Sequence, residues 1–119
     1  MDTQVREFIE SAVRSLVGLD VVLFFRDNPD AVESVAGIAL RTSRKAEEIA
    51  PCLESLTEHG VLEAFSQGGE RYHCYALSER PDLWDTLYRL SDAYMRHPDS
   101  RKEIVRLLMQ IGASERTGG

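Results

Sequence analysis

The spacing of apolar residues changes twice along this chain, at Gly60 and again at Pro81, and few folds accommodate that punctuation. Before Gly60 and after Pro81, apolar residues recur every three or four positions, the spacing that gathers them on one face of a helix. Between the two, Val61-Leu62-Glu63-Ala64-Phe65 and Arg71-Tyr72-His73-Cys74-Tyr75-Ala76-Leu77 are rich in β-favouring residues. They flank Ser66-Gln67-Gly68-Gly69-Glu70, whose glycine pair supplies the positive φ angles of a tight turn. The pattern predicts a mainly α fold with one small β-hairpin. At 119 residues there is room for one core and no second.

Residues 4 to 27 read as helix, with Val5, Phe8, Ile9, Ala12, Val13 and Leu16 on one face and a bend expected between Ser15 and Gly18. Asp27-Asn28-Pro29-Asp30 stops it, because Pro29 holds Asn28 extended and Asp30 is able to cap the next helix. Ala31 to Leu40 reads as a short helix, and Arg41 to Lys45 as a polar break. Ala46 to His59 resumes the helical pattern through Ile49, Leu53 and Leu56, with Gly60 in the left-handed position after its end and His59 placed to bond its last carbonyls. Pro51 removes an amide donor near the second turn, so a local distortion is expected there. Pro81 suits a first helical turn, followed by the stripe Leu83, Trp84, Leu87, Leu90, Tyr94 and Met95. Ile104, Val105, Leu108 and Ile111 mark a last helix, with 114–119 read as a flexible tail after a single domain at 1–113.

Twenty acidic against fourteen basic side chains give a formal charge of −6, the wrong sign for coating nucleic acid by charge alone. The longest apolar run, Val21 to Phe25, lies between Asp20 and Arg26 and is far too short to span a bilayer, so no membrane partner is expected. The polar segment from Met1 to Glu7 lacks the features of a secretion signal, and a cytoplasmic location is expected. Cys52 and Cys74 have neither a Cys-x-x-Cys spacing nor a companion histidine pair, and His73 and His97 stand alone. Two reduced thiols, no metal and no cofactor are expected. No glycine-rich phosphate loop, nucleophile elbow or His-Glu-x-x-His pair is present, and Asp82 and Asp85 open a helix where acids suit the dipole, so no enzyme is expected.

The block from Ser34 to Glu63, with Ala39, Ile49, Leu53, Leu56 and the Gly60-Val61-Leu62 step, followed by Tyr75-Ala76-Leu77, resembles a winged helix-turn-helix. The resemblance covers about residues 16 to 78 and is to regulators of the MarR and ArsR kind, with helices at 4–14 and 81–112 resembling their dimerisation elements. It implies a homodimer that binds double-stranded DNA in transcriptional control, with 46–58 in the major groove and the hairpin 61–77 as wing. The residues it puts against DNA are Arg41, Thr42, Ser43, Arg44 and Lys45 at the start of that helix, with Arg71 and His73 on the wing. The residues it puts between subunits are Val5, Phe8, Ile9, Leu83, Trp84, Leu87, Leu90 and Tyr94, a surplus of apolar side chains beyond what the motif needs. From Ala31 to Gly60, however, Glu33, Glu47, Glu48, Glu54 and Glu58 outnumber Arg41, Arg44 and Lys45. That local charge keeps open a second reading, a winged-helix module whose partner is another protein.

Overall fold

The first helix ends because the backbone is forced out of it. In the computed structural model, which describes residues 1–66 and 73–117, α1 (Thr3–Phe8) is capped by the Asp2 carboxylate, which accepts from the amides of Gln4 and Val5. It widens into a π-helical turn at Ile9–Val13 and stops at Arg14, whose φ of 61° is left-handed. Ser15 then caps α2 (Leu16–Asp27), its Oγ accepting from the Gly18 amide at 2.9 Å. The expected bend is thus a full break. Gly18 makes it possible, since a Cβ there would stand 2.1 Å from the Val13 carbonyl oxygen.

The segment after Asn28 departs from the sequence reading. Val32–Ser34 is a strand, β1, where the sequence suggests the start of a helix. The helix, α3 (Val35–Thr42), begins at Ser34, whose Oγ accepts from the Gly37 amide; Asp30 does not cap it. A strand of three residues has no local periodicity to betray it, and its partner strand lies far along the chain, pairing Val32 with Ala76 and Ser34 with Cys74. β2 (Leu62–Ser66) and β3 (His73–Leu77) form the expected hairpin, and β1 pairs with the far side of β3, giving the antiparallel order β1-β3-β2. The turn glycines Gly68 and Gly69 and the candidate Arg71 lie outside the described residues.

Between α3 and the hairpin lies α4 (Ala46–Glu58), continuous through Pro51. Pro51 removes the donor that would meet the Glu47 carbonyl, and both residues are on the exposed face, where water replaces such a partner. On the opposite face Ile49, Leu53 and Leu56 are fully buried, at about 1.5–3 kcal/mol each. Both helices of the motif end in the same way: Arg44 donates to the Ala39 carbonyl across left-handed Ser43, and Val61 donates to the Leu56 carbonyl across left-handed Gly60. His59 donates from Nδ1 to the Ser55 carbonyl at 2.8 Å, as its position suggests.

The flanking helices close the core. α5 (Pro81–Arg96) and α6 (Pro98–Thr117) pack against each other and against α2, while α1 lies across α5. α6 runs past residue 113, where the sequence reads as tail, and Glu115 in its last turns pairs with Arg14 at the α1–α2 break. Val5, Ile9, Leu83, Leu87 and Leu90 are at most 5% exposed in the single chain. The apolar surplus assigned to a subunit interface therefore fills this chain's own core at those five positions, because the motif helices alone leave α2 uncovered on that side. The whole is mainly helical with a small three-stranded sheet, a winged helix flanked by terminal helices.

Gly18→Ala is expected to lower the unfolding free energy by about 1–3 kcal/mol through overpacking against the Val13 carbonyl. Gly112→Ala, in α6, meets nothing nearer than the end of the Arg116 side chain at 3.6 Å and should instead stabilise, by up to about 1 kcal/mol of helix propensity. Urea unfolding of the two variants side by side measures both signs.

Candidate nucleic-acid interface

Five of the seven residues expected against DNA are contiguous at the α3–α4 turn, and the structure gives them different tasks. Arg41 lies in the last turn of α3, not in a polar break before α4. Its guanidinium sits 5.4 Å from the centre of the Phe24 ring and 3.5 Å from the Glu33 carboxylate. Thr42 donates its hydroxyl to the Ile38 carbonyl one turn back, so that proton is engaged within the helix. Ser43 is exposed and carries the left-handed turn. Lys45 is exposed as the first residue before α4, and its ammonium makes no ion pair among the described residues.

Arg44 is folded back. Its Nε and Nη2 both donate to Asp20 Oδ2, at 3.0 and 2.7 Å, and Nη1 is 3.7 Å from Glu48. The hydrogen bond to Asp20 holds the guanidinium pKa above its ordinary value against a smaller opposing cost of burial. Arg44 and Arg41 thus grip one face of α2, where Asp20 and Phe24 stand one turn apart. Both turn arginines brace α3 and α4 against α2, and neither is directed to a base in this conformation. Asp20 is the partner that the sequence reading omits. Its position was the available clue: a lone carboxylate within the apolar run from Leu16 to Phe25 needs a cation nearby.

The outer face of α4 is acidic. Glu47, Pro51, Glu54 and Glu58 succeed one another at helical spacing and are all exposed. Three carboxylates on that stripe would face phosphates if the helix lay deep in a groove. On the wing, His73 is exposed, with Nδ1 3.5 Å from the Ser66 hydroxyl across the β2–β3 pair, and Arg71 is outside the described residues.

The remaining apolar exposure is on α5. Trp84, Tyr88 and Met95 lie on one stripe, 46%, 53% and 61% exposed, whereas Phe8 and Tyr94 are half-buried against the core. The Trp84 indole donates to the Ser78 carbonyl at 2.8 Å, which fixes the ring. Beside it, Arg26, Pro29, Leu77 and Leu87 complete a groove of about 320 Å³ with Trp84 and Tyr88, and Arg26 lies over the Tyr88 ring. Tyr88 escapes a reading that seeks buried stripes, since it lies on the side of α5 facing away from the core, and Met95, which the sequence places with the buried stripe, is exposed on that same side.

Cys52 on α4 is half-buried, with Sγ 3.7 Å from Ser15 Oγ and donating to the Glu48 carbonyl at 3.5 Å. Burial pushes its thiol above the ordinary value of 9.0. Cys74 is half-buried and also free. Among the described residues, no group of three metal-ligating side chains comes together.

Arg44→Ala is expected to lower the unfolding free energy by about 0.5–1 kcal/mol, the range for a partly exposed ion pair, whereas Lys45→Ala should stay within about ±0.5 kcal/mol. Urea denaturation separates the bracing residue from the free one. The stability that comes from keeping Cys52 protonated is complete below the unfolded thiol's pKa and is lost as pH rises through the higher folded value. At pH 7, Cys52 should therefore react with an aromatic disulfide more slowly in the folded protein than in urea.

No family model and no curated protein matches the chain. Among solved structures, the disulfide-formed state of AbfR, a staphylococcal MarR-like regulator, is similar with a TM-score of 0.50 and 10% identity, over 96% of this chain and 81% of that one. At that identity the likeness concerns the fold alone: this chain has a winged-helix fold, and no helix among its described residues is long and apolar enough to cross a membrane.

Proposed function

We propose that this chain is a transcriptional regulator that docks on duplex DNA as a dimer, through the α3–α4 turn and the wing. The observation that carries the reading is the helix-turn-helix itself. Two helices packed across left-handed Ser43 present Lys45, a cation with no ion pair among the described residues, at the N-terminus of α4, where helix amides and a basic side chain together suit a phosphate. The acidic stripe of α4 restricts the contact to that end of the helix. Docking is then weighted to the sugar–phosphate backbone, with Lys45 and the wing residues Arg71 and His73 as contacts and little base reading by the middle of α4.

Dimerisation is assigned to the exposed α5 stripe. Trp84, Tyr88 and Met95 offer a second copy an apolar surface that the chain's own core leaves open. Sedimentation at micromolar concentration should give twice the chain mass of 13.4 kDa, and Tyr88→Asp with Met95→Asp should give the monomer.

A second reading is supported by Glu47, Glu54 and Glu58, which suit a basic protein partner better than a phosphate backbone. Titration of a random-sequence duplex distinguishes the two. A regulator should bind weakly at low salt, with a log–log salt slope of about −4 or shallower for a dimer that brings Lys45 and Arg71 twice, flattened by about two units in Lys45→Ala. No binding at about 20 mM salt, a condition chosen to favour charge contacts, would overturn the DNA reading in favour of the protein partner.

A further inference from the structure

We propose that Asp20 is an internal competitor for phosphate, holding Arg44 as a latent DNA-binding cation that changes partner when duplex DNA docks. The inference rests on the DNA reading and assigns a specific step to the same turn. Arg44 lies between left-handed Ser43 and Lys45, at the end of α4 where the helix dipole disfavours a cation unless an anion answers it. In the free protein that anion is Asp20, assisted by Glu48.

The pair is built to be exchangeable. Both donors of Arg44 fall on the single oxygen Oδ2, not on the two oxygens of a forked carboxylate pair, which is the stronger arrangement. The side chains remain 32% and 40% exposed, so a phosphate oxygen arriving beside Lys45 can reach the guanidinium without opening the core. Nothing beneath the pair depends on it alone, since Ile49, Leu53 and Leu56 anchor α4 to the core. Arg41 differs, being committed to an aromatic ring as well as to Glu33. Arg44 is therefore the turn cation whose release changes the charge offered to DNA most directly, from a neutralised pair to an exposed guanidinium.

The test is a set of titrations of a fluorescent random-sequence duplex of about 20 base pairs with the full chain. Asp20→Asn should tighten binding about three- to tenfold, because Arg44 no longer has to leave a carboxylate before it meets a phosphate. Removing any nearby carboxylate favours DNA somewhat, so Glu47→Gln, which lacks a cation partner among the described residues, sets the baseline, and Asp20→Asn must exceed it. In an Arg44→Ala background the excess should vanish. Should Asp20→Asn fold poorly, Glu48→Gln loosens the same guanidinium and carries the same Arg44-dependent prediction. An Asp20→Asn effect no larger than that of Glu47→Gln, or one that persists without Arg44, would show the pair to be purely a brace. If neither binds, the DNA reading falls and the latch with it; if the parent binds through Lys45 and only the Asp20 effect is missing, the latch alone falls.

Discussion

The fold turns on an approach between two backbones: the Val13 carbonyl lies so close to Gly18 that position 18 has no room for a Cβ. That contact lets the chain reverse between the π-helical turn and α2 within a few residues. α1 is thereby laid across α5, and α2 is covered on the side that the helix-turn-helix does not reach. Ser15 caps the new helix and Arg14 accepts a left-handed backbone, with its side chain reaching both Glu10 and Glu115. A break that costs local strain is held by contacts from the opposite end of the chain.

α2 is consequently the element on which the rest of the fold is assembled. It supplies Leu19, Val21, Val22, Phe24 and Phe25 to the core, and Asp20, partly exposed, stands one turn before Phe24. Those two residues take the arginines of the α3–α4 turn, one by charge and one by its ring. Packing and electrostatics are therefore coupled in one helix: the same rigid surface that seats α4 also determines which cations remain available at the turn. Lys45 stays outside that grip because it comes after the turn, at the start of α4, beyond the reach of that face.

The charge pattern of α4 fits this arrangement. The exposed carboxylates at Glu47, Glu54 and Glu58 cost the free protein little, since water screens the repulsion between Glu54 and Glu58 one turn apart. They do limit how the helix can meet a polyanion. A winged helix with such a face makes its contacts at the helix start and on the wing, or with a partner of the opposite charge, and fold likeness alone does not choose between these.

Much of the architecture is legible in the sequence, because it depends on local rules. The period of three and four around Ile49, Leu53 and Leu56, the left-handed glycine at Gly60, the strand pattern before Leu77 and the prolines at 81 and 98 each act through neighbouring residues and fix the order of the elements. What the sequence could not decide are relations between distant residues. The pairing of Val32–Ser34 with β3, the capture of Arg44 by Asp20 and the burial of Val5 and Ile9 against α5 and α6 each depend on which surfaces meet after the chain has turned. An apolar stripe looks the same in a sequence whether its own core or a second subunit covers it, and an arginine at a helix start looks equally available whether or not a carboxylate from another helix already holds it. Only the tertiary arrangement supplies the partner, and so it alone left Trp84, Tyr88 and Met95 exposed and Lys45 without an ion pair among the described residues while using up their neighbours.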